Sequence, residues 1–136
     1  MSRPEPVVFD TSALYGLLSA EDVFHTRAVN AYTRLLSLGH EFWLTSYGLV
    51  EFISVVHRRL GFGPARTFYA AVPSVFRTLW IGPELHAEAW SELEARSGAG
   101  LNFVDWTNLL AARQLGASLF TFDSGFSREG AMVIPA

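Results

Sequence analysis

The sequence contains no cysteine and no lysine. The first absence removes disulfide frameworks, thiolate zinc sites, iron–sulfur clusters and cysteine nucleophiles, and it leaves the redox compartment open. The second removes the phosphate-cradling lysine of a P-loop, a Schiff-base lysine and any lysine general base, since all ten basic residues are arginine. No apolar run reaches the roughly 18 residues of a membrane span. Residues 1–6 lack the basic-then-apolar pattern of a secretory signal, so a cytoplasmic location without membrane contact is expected. There is no G-x-S-x-G elbow and no G-x-G-x-x-G fingerprint, and the four histidines are dispersed without the spacing of a helical zinc motif. Serine hydrolase, dinucleotide-binding and zinc-enzyme readings lose their support.

What is present is a chain of 136 residues, half of them hydrophobic and 17% charged, the composition of one packed domain over residues 1–136. Short apolar runs at 7–9, 42–44, 78–81, 118–122 and 132–134 have strand character. Helical patterns lie between them: a turn or two at 13–18, a helix capped by Asp22 and running to about Leu38, and one capped by Ser46 and ended by Gly61. A further helix is opened by Pro64, another runs from Pro83 to about Arg96, and the last is capped by Asn102 and stopped by Gly116. Strands alternating with helices predict an α/β fold, a mostly parallel sheet of about five strands in a three-layer α/β/α sandwich. Functional groups in such sheets gather beyond the carboxyl ends of the strands.

Most acids lie where a solvated helix face or a turn would put them. Four do not: Asp10 follows Val7-Val8-Phe9, Glu51 interrupts Leu49-Val50 and Phe52-Ile53, Asp105 follows Phe103-Val104, and Asp123 follows Phe120-Thr121-Phe122. Burying an unpaired carboxylate costs several kcal/mol or shifts its pKa until it is neutral. No arginine stands immediately beside any of the four in sequence. With Asp10 and Asp123 at strand ends and Glu51 and Asp105 in first helical turns, all four would meet at one sheet edge. The economical partner for such a cluster is a hard divalent cation, Mg²⁺ or Mn²⁺. Each acid also has a plain structural role open to it. Asp10 can cap the turn at Ala13, Asp123 can start a turn before Gly125, and Asp105 stands three residues after Asn102, the spacing of a capping box. Thr11 and Ser12 could hold a metal-bound water or a phosphate oxygen, and they equally suit a strand-to-helix turn; Thr121 lies on the same side of its strand as Asp123, and Asn108, one helical turn after Asp105, could support that acid from behind.

The stretches Val8-Phe9-Asp10-Thr11-Ser12, Thr45-Ser46 followed by Glu51, Phe103-Val104-Asp105, and Thr121-Phe122-Asp123 with Phe126 resemble, in order and spacing, the PIN domain and within it the VapC toxins of bacterial toxin–antitoxin pairs. The opening also resembles that of haloacid-dehalogenase phosphatases. That family's second aspartate would fall at Ser12, and its lysine has no counterpart in this chain. The PIN resemblance implies a homodimeric, Mg²⁺- or Mn²⁺-dependent endoribonuclease and a small VapB-like antitoxin as partner. It also implies catalytic acids at Asp10, Glu51, Asp105 and Asp123. Asp10, Asp105 and Asp123 would be the metal ligands, and Glu51 would orient or deprotonate the attacking water. Trp106 departs from the small residue common after this aspartate, and it either packs, narrows the pocket or offers a face on which a base stacks. The alternatives are a PIN nuclease that processes RNA without an antitoxin, and a non-catalytic RNA- or protein-binding module. The net charge of −3 argues against binding nucleic acid by charge density alone, although setting the four acids aside leaves a balance of +1.

Overall fold

In the computed structural model, which describes residues 4–135, Val7 and Phe9 face one side of a sheet and Val8 the other, and all three are at most 1% exposed. This alternation inside a wholly apolar run is the mark of a strand covered on both faces. The run Pro6–Phe9 is β1, and the others are β2 (Glu41–Thr45), β3 (Arg77–Leu79), β4 (Ser118–Phe120) and β5 (Val133–Ile134). All pairings are parallel, in the order β3-β2-β1-β4-β5. The helices are α1 (Thr11–Leu18), α2 (His25–Ser37), α3 (Ser46–Leu60), α4 (Phe62–Val75), α5 (Pro83–Ala95), α6 (Phe103–Leu115) and the single turn α7 (Gly125–Arg128).

One core joins Phe9, Phe42, Leu44 and Phe120 to α1 through α4, with Leu14, Leu35, Phe52 and Val56 among its buried side chains. The other joins Val8 and Leu119 to α5, α6 and α7 through Ala89, Trp106, Leu109 and Phe126. Two apolar faces on one sheet give the expected three layers. The chain crosses from β1 to β2 on one side and reaches β4 and β5 on the other, so the strand order reverses between β1 and β4. A crevice opens at such a point beyond the carboxyl ends of the strands. No helix among the described residues is long and apolar enough to cross a membrane.

Several local expectations shift. The Asp22 carboxylate accepts from the Phe24 amide in a turn, so α2 starts at His25 rather than at Asp22, and Leu38 is 63% exposed beyond its end. Thr45, not Ser46, caps α3: its hydroxyl accepts from the Gly48 amide, while Ser46 Oγ accepts from the Ile81 amide. Pro64 is the third residue of α4, where an amide proton is still unneeded. β3 begins at Arg77 and ends at Leu79, and β4 stops at Phe120, because Thr121 and the residues after it turn toward the crevice.

Candidate active site

Asp10 stands where β1 becomes α1, and it is only 4% exposed. Its backbone carbonyl accepts from the Ala13 and Leu14 amides, but its side chain makes no cap bond. The carboxylate faces the crevice instead, and Oδ2 accepts from Ser12 Oγ and from Thr121 Oγ1, each at 2.9 Å. Those two hydroxyls lie 3.2 Å apart and are each held from behind, Ser12 by the Phe122 amide and Thr121 by the Asp123 amide. Each has one proton to give, and both point it at Asp10. Burial nonetheless raises the Asp10 pKa above the ordinary carboxylate value, and the hydrogen bonds from Thr121 and Ser12 only partly offset it.

A second chain of bonds reaches Asp10 from the other side. The Gly48 amide donates to Thr45 Oγ1, and Thr45 Oγ1 donates to Asn108 Oδ1 at 2.5 Å. Since Thr45 gives its proton to that oxygen, the Asn108 amide nitrogen faces Asp10 Oδ1, at 3.5 Å. Asn108 is fully buried and Thr45 is 1% exposed. A Cβ on Gly48 would come within 3.1 Å of Thr45 Oγ1 and 3.2 Å of Asn108 Oδ1, so the bare backbone is what lets the three meet. Thr45 and Gly48 are missed by reasoning from acids alone. The signal was a threonine three residues before a glycine at a strand-to-helix junction, the spacing of a helix N-cap.

The other three acids surround this pair of networks. Glu51 lies in the second turn of α3, not the first, and its Oε1 accepts from Thr11 Oγ1 at 2.7 Å. Thr11 therefore serves Glu51 rather than Asp10. Asp105 forms the capping box that its spacing permits: its Oδ2 accepts from the Asn102 amide at 2.9 Å, and Asn102 Oδ1 accepts from the Asp105 amide at 2.8 Å. Asp123 also takes its turn role, accepting from the Gly125 amide at 2.8 Å, and its side chain is exposed. For Asp105 the cap is not the whole story. Desolvation pushes its pKa up to about 7 against the bond from Asn102, and the charges of Asp10, Asp123 and Glu51 push in the same direction. Four carboxylates thus share one electrostatic neighbourhood, and no salt bridge among the described residues reaches any of them.

A hard divalent cation suits this donor set in kind, because every candidate ligand is a carboxylate oxygen and the buried Asp10 meets no countercharge among the described residues. No three acids among the described residues stand close enough together to grip one ion as they are. The four acids are therefore of the right chemistry but stand further apart than the ligands of one coordination sphere.

The PIN domain family model matches residues 7–131, nearly the whole chain and all four acids. The chain belongs to the PIN domain family. Among solved structures, VapC20 of Mycobacterium tuberculosis, a sarcin–ricin loop cleaving toxin, is 25% identical with a TM-score of 0.82, over 92% of this chain and 95% of that one. The VapBC-1 structure of nontypeable Haemophilus influenzae is 15% identical with a TM-score of 0.70, over 94% and 96% of the two chains. The DNA-bound VapBC of Salmonella typhimurium is 17% identical with a TM-score of 0.67, over 95% and 96%. No curated protein sequence matches the chain. In this PIN domain the base-stacking alternative for Trp106 is overturned. The indole is 1% exposed inside the second core, with the Arg96 guanidinium 4.3 Å from its ring centroid. Arg96 is itself tied to Glu92 and Glu129, each at 2.7 Å, so the ring is sealed beneath an ion-pair cluster.

Proposed function

We propose that this PIN domain is an endoribonuclease of the VapC type, a toxin that hydrolyses RNA phosphodiester bonds with Mg²⁺ or Mn²⁺ at the four-acid crevice. The observation that carries the reading is Asp10. A buried carboxylate without a countercharge among the described residues, held by the Ser12 and Thr121 hydroxyls and the Asn108 amide, has no packing role to explain it. The similarity to VapC20, named as a sarcin–ricin loop cleaving toxin, supports RNA as the substrate class. The VapBC complexes with the same fold support an antitoxin as partner, and a cytoplasmic homodimer, which the family resemblance implies, completes the proposal.

Asp10 and Asp105 would hold the cation with Asp123 beside them. When bound, the ion supplies charge neutralisation at the phosphate and acidifies a water molecule. Ser12, Thr121 and Asn108 fix the Asp10 carboxylate so that it does not rotate away from the crevice. The Asn102 cap holds Asp105 in the first turn of α6, where the amide end of the helix favours negative charge. Glu51 has Oε1 engaged by Thr11, which leaves the other oxygen to orient a water and take its proton. In-line attack on phosphorus would leave a 5′-phosphate and a 3′-hydroxyl.

The test is brief induction of the gene, with and without its antitoxin, followed by sequencing of RNA 5′ ends. New 5′-phosphate ends at a few positions, absent when the antitoxin is co-expressed, are expected. An unchanged set of ends from well-expressed protein overturns the reading.

A further inference from the structure

Outside the four acids, a cleft of about 500 Å³ lies between α2 and the edge strand β5. Its floor is apolar, made by Leu35, Ile134 and Pro135, and its rim carries Arg27, Asn30 and Arg34. No carboxylate side chain lines it. In a chain of net charge −3 that is a local inversion of sign. Like every described arginine except Arg77 and Arg96, neither forms a salt bridge among the described residues, and both are exposed.

Arg27 is also pre-positioned. Phe24 and Phe122 stack with centroids 4.5 Å apart and 7° between planes, and the Arg27 guanidinium lies 5.3 Å from the Phe122 centroid and 5.9 Å from that of Phe24. A guanidinium resting on rings keeps all five N–H donors for another partner. Phe122 stands between Thr121, which donates to Asp10, and Asp123. The cleft therefore begins at the rim of the acid crevice. Arg34 lies two helical turns further along the same face, a rise of about 10 Å, which spans roughly three stacked nucleotide steps.

We infer that the α2–β5 cleft is a backbone track for the RNA substrate, in which Arg27 and Arg34 each hold a phosphate of the strand leaving the cleavage site. The inference rests on the ribonuclease reading and adds what that reading lacks, a positively charged path in an acidic protein without lysine. Arginine suits it because the planar fork grips phosphate oxygens in pairs. Asn30, between the two, offers amide donors to the sugar-phosphate chain.

The experiment measures binding of a short single-stranded oligoribonucleotide to the full chain in EDTA across a salt series, for wild type, the Arg27→Gln/Arg34→Gln double variant and the Arg27→Lys/Arg34→Lys double variant. Each phosphate contact on a single strand contributes about 0.7 to the slope of log affinity against log salt. The glutamine pair is expected to lower the slope by about 1.4 and the lysine pair to keep it. Both positions are exposed, so circular dichroism should match wild type. An unchanged slope in the glutamine variant overturns the proposal. So does a change in oligomeric mass, which would make the cleft a contact between copies, or lost binding to polyglutamate with RNA binding intact. A parallel cleavage assay separates the two claims: wild type that cuts RNA with an unchanged slope in the glutamine variant refutes only the track, while wild type that cuts no RNA refutes the ribonuclease reading.

Discussion

Replacing Asp105 with asparagine should stabilise the cation-free protein at pH 8 and leave it unchanged at pH 4. The folded-state pKa of Asp105 is raised from 3.8 to about 7, chiefly by desolvation and further by three neighbouring acids. For a carboxylate shifted in this direction the native state prefers the protonated form. The Asp105 contribution to stability is therefore greatest below about pH 4, falls as the pH climbs toward 7, and is flat above that. At about 1.4 kcal/mol per pH unit the ceiling on this penalty is about 4 kcal/mol. Asp105 is only partly buried, and solvent screening brings the expected effect to about 1–2 kcal/mol. Asparagine keeps the side-chain oxygen that accepts from the Asn102 amide, so the helix cap is not lost with the charge. For a domain of this size the gain corresponds to roughly 3–8 °C in Tm at pH 8. The assay is thermal unfolding in EDTA at intervals from pH 4 to pH 8.5 for both proteins. Two Tm curves that run parallel across that range would refute the idea that Asp105 carries a desolvated, mutually repelled charge.

Other consequences follow from the same contacts. Mn²⁺ added at pH 8 should raise the Tm of wild type, by about 2.7 kcal/mol of stabilisation at a hundred times its Kd, and should do little for Asp10→Asn; equal shifts would place the ion elsewhere. Thr45→Val leaves the Gly48 amide and Asn108 Oδ1 without partners, so a loss of about 1–3 kcal/mol in denaturant unfolding is expected, with RNA cleavage falling further than stability explains. Gly48→Ala should have the same functional effect through the crowding at 3.1 Å and 3.2 Å, and wild-type cleavage by that variant would contradict the positioning role of Asn108. Trp106→Phe should cost much less than the roughly 3–5 kcal/mol of a large core truncation. The buried indole N–H has no partner among the described residues, and removing it offsets part of the lost volume; chemical denaturation measures the difference.

Periodicity and punctuation carried much of the architecture. Val7-Val8-Phe9 behind a proline, Gly61 and Gly116 at helix ends, and Pro83 at a helix start each act locally, and the structure places each where its local chemistry directs. Boundaries set by competition between neighbours were not legible. Thr45 and Ser46 are equally good caps by residue type, and the choice falls to Thr45 because Ser46 is drawn to the Ile81 amide 35 residues away. Asp22 is likewise a competent cap that a turn bond to Phe24 diverts. The single turn α7 is too short to carry a periodic pattern.

At the site, the four acids stood out because each interrupts apolar sequence, and both the plain and the chemical readings of Asp105 turn out to describe one side chain. What the sequence concealed is the support for Asp10. Ser12 and Thr121 are 109 residues apart, and Thr45 reaches Asn108 across 63, so only the fold brings them to one carboxylate. Trp106 looked like a departure at the site because it adjoins Asp105. Consecutive helical residues point in different directions, and this one turns into the core.

The most direct test of the central claim is cleavage of a structured RNA by the purified chain with Mn²⁺, with EDTA, and with Mn²⁺ after Asp10→Asn. Site-specific cuts by wild type in Mn²⁺, lost on chelation and lost in the folded variant, are the predicted result. Cleavage that survives both EDTA and Asp10→Asn would contradict a cation-dependent ribonuclease centred on the four acids.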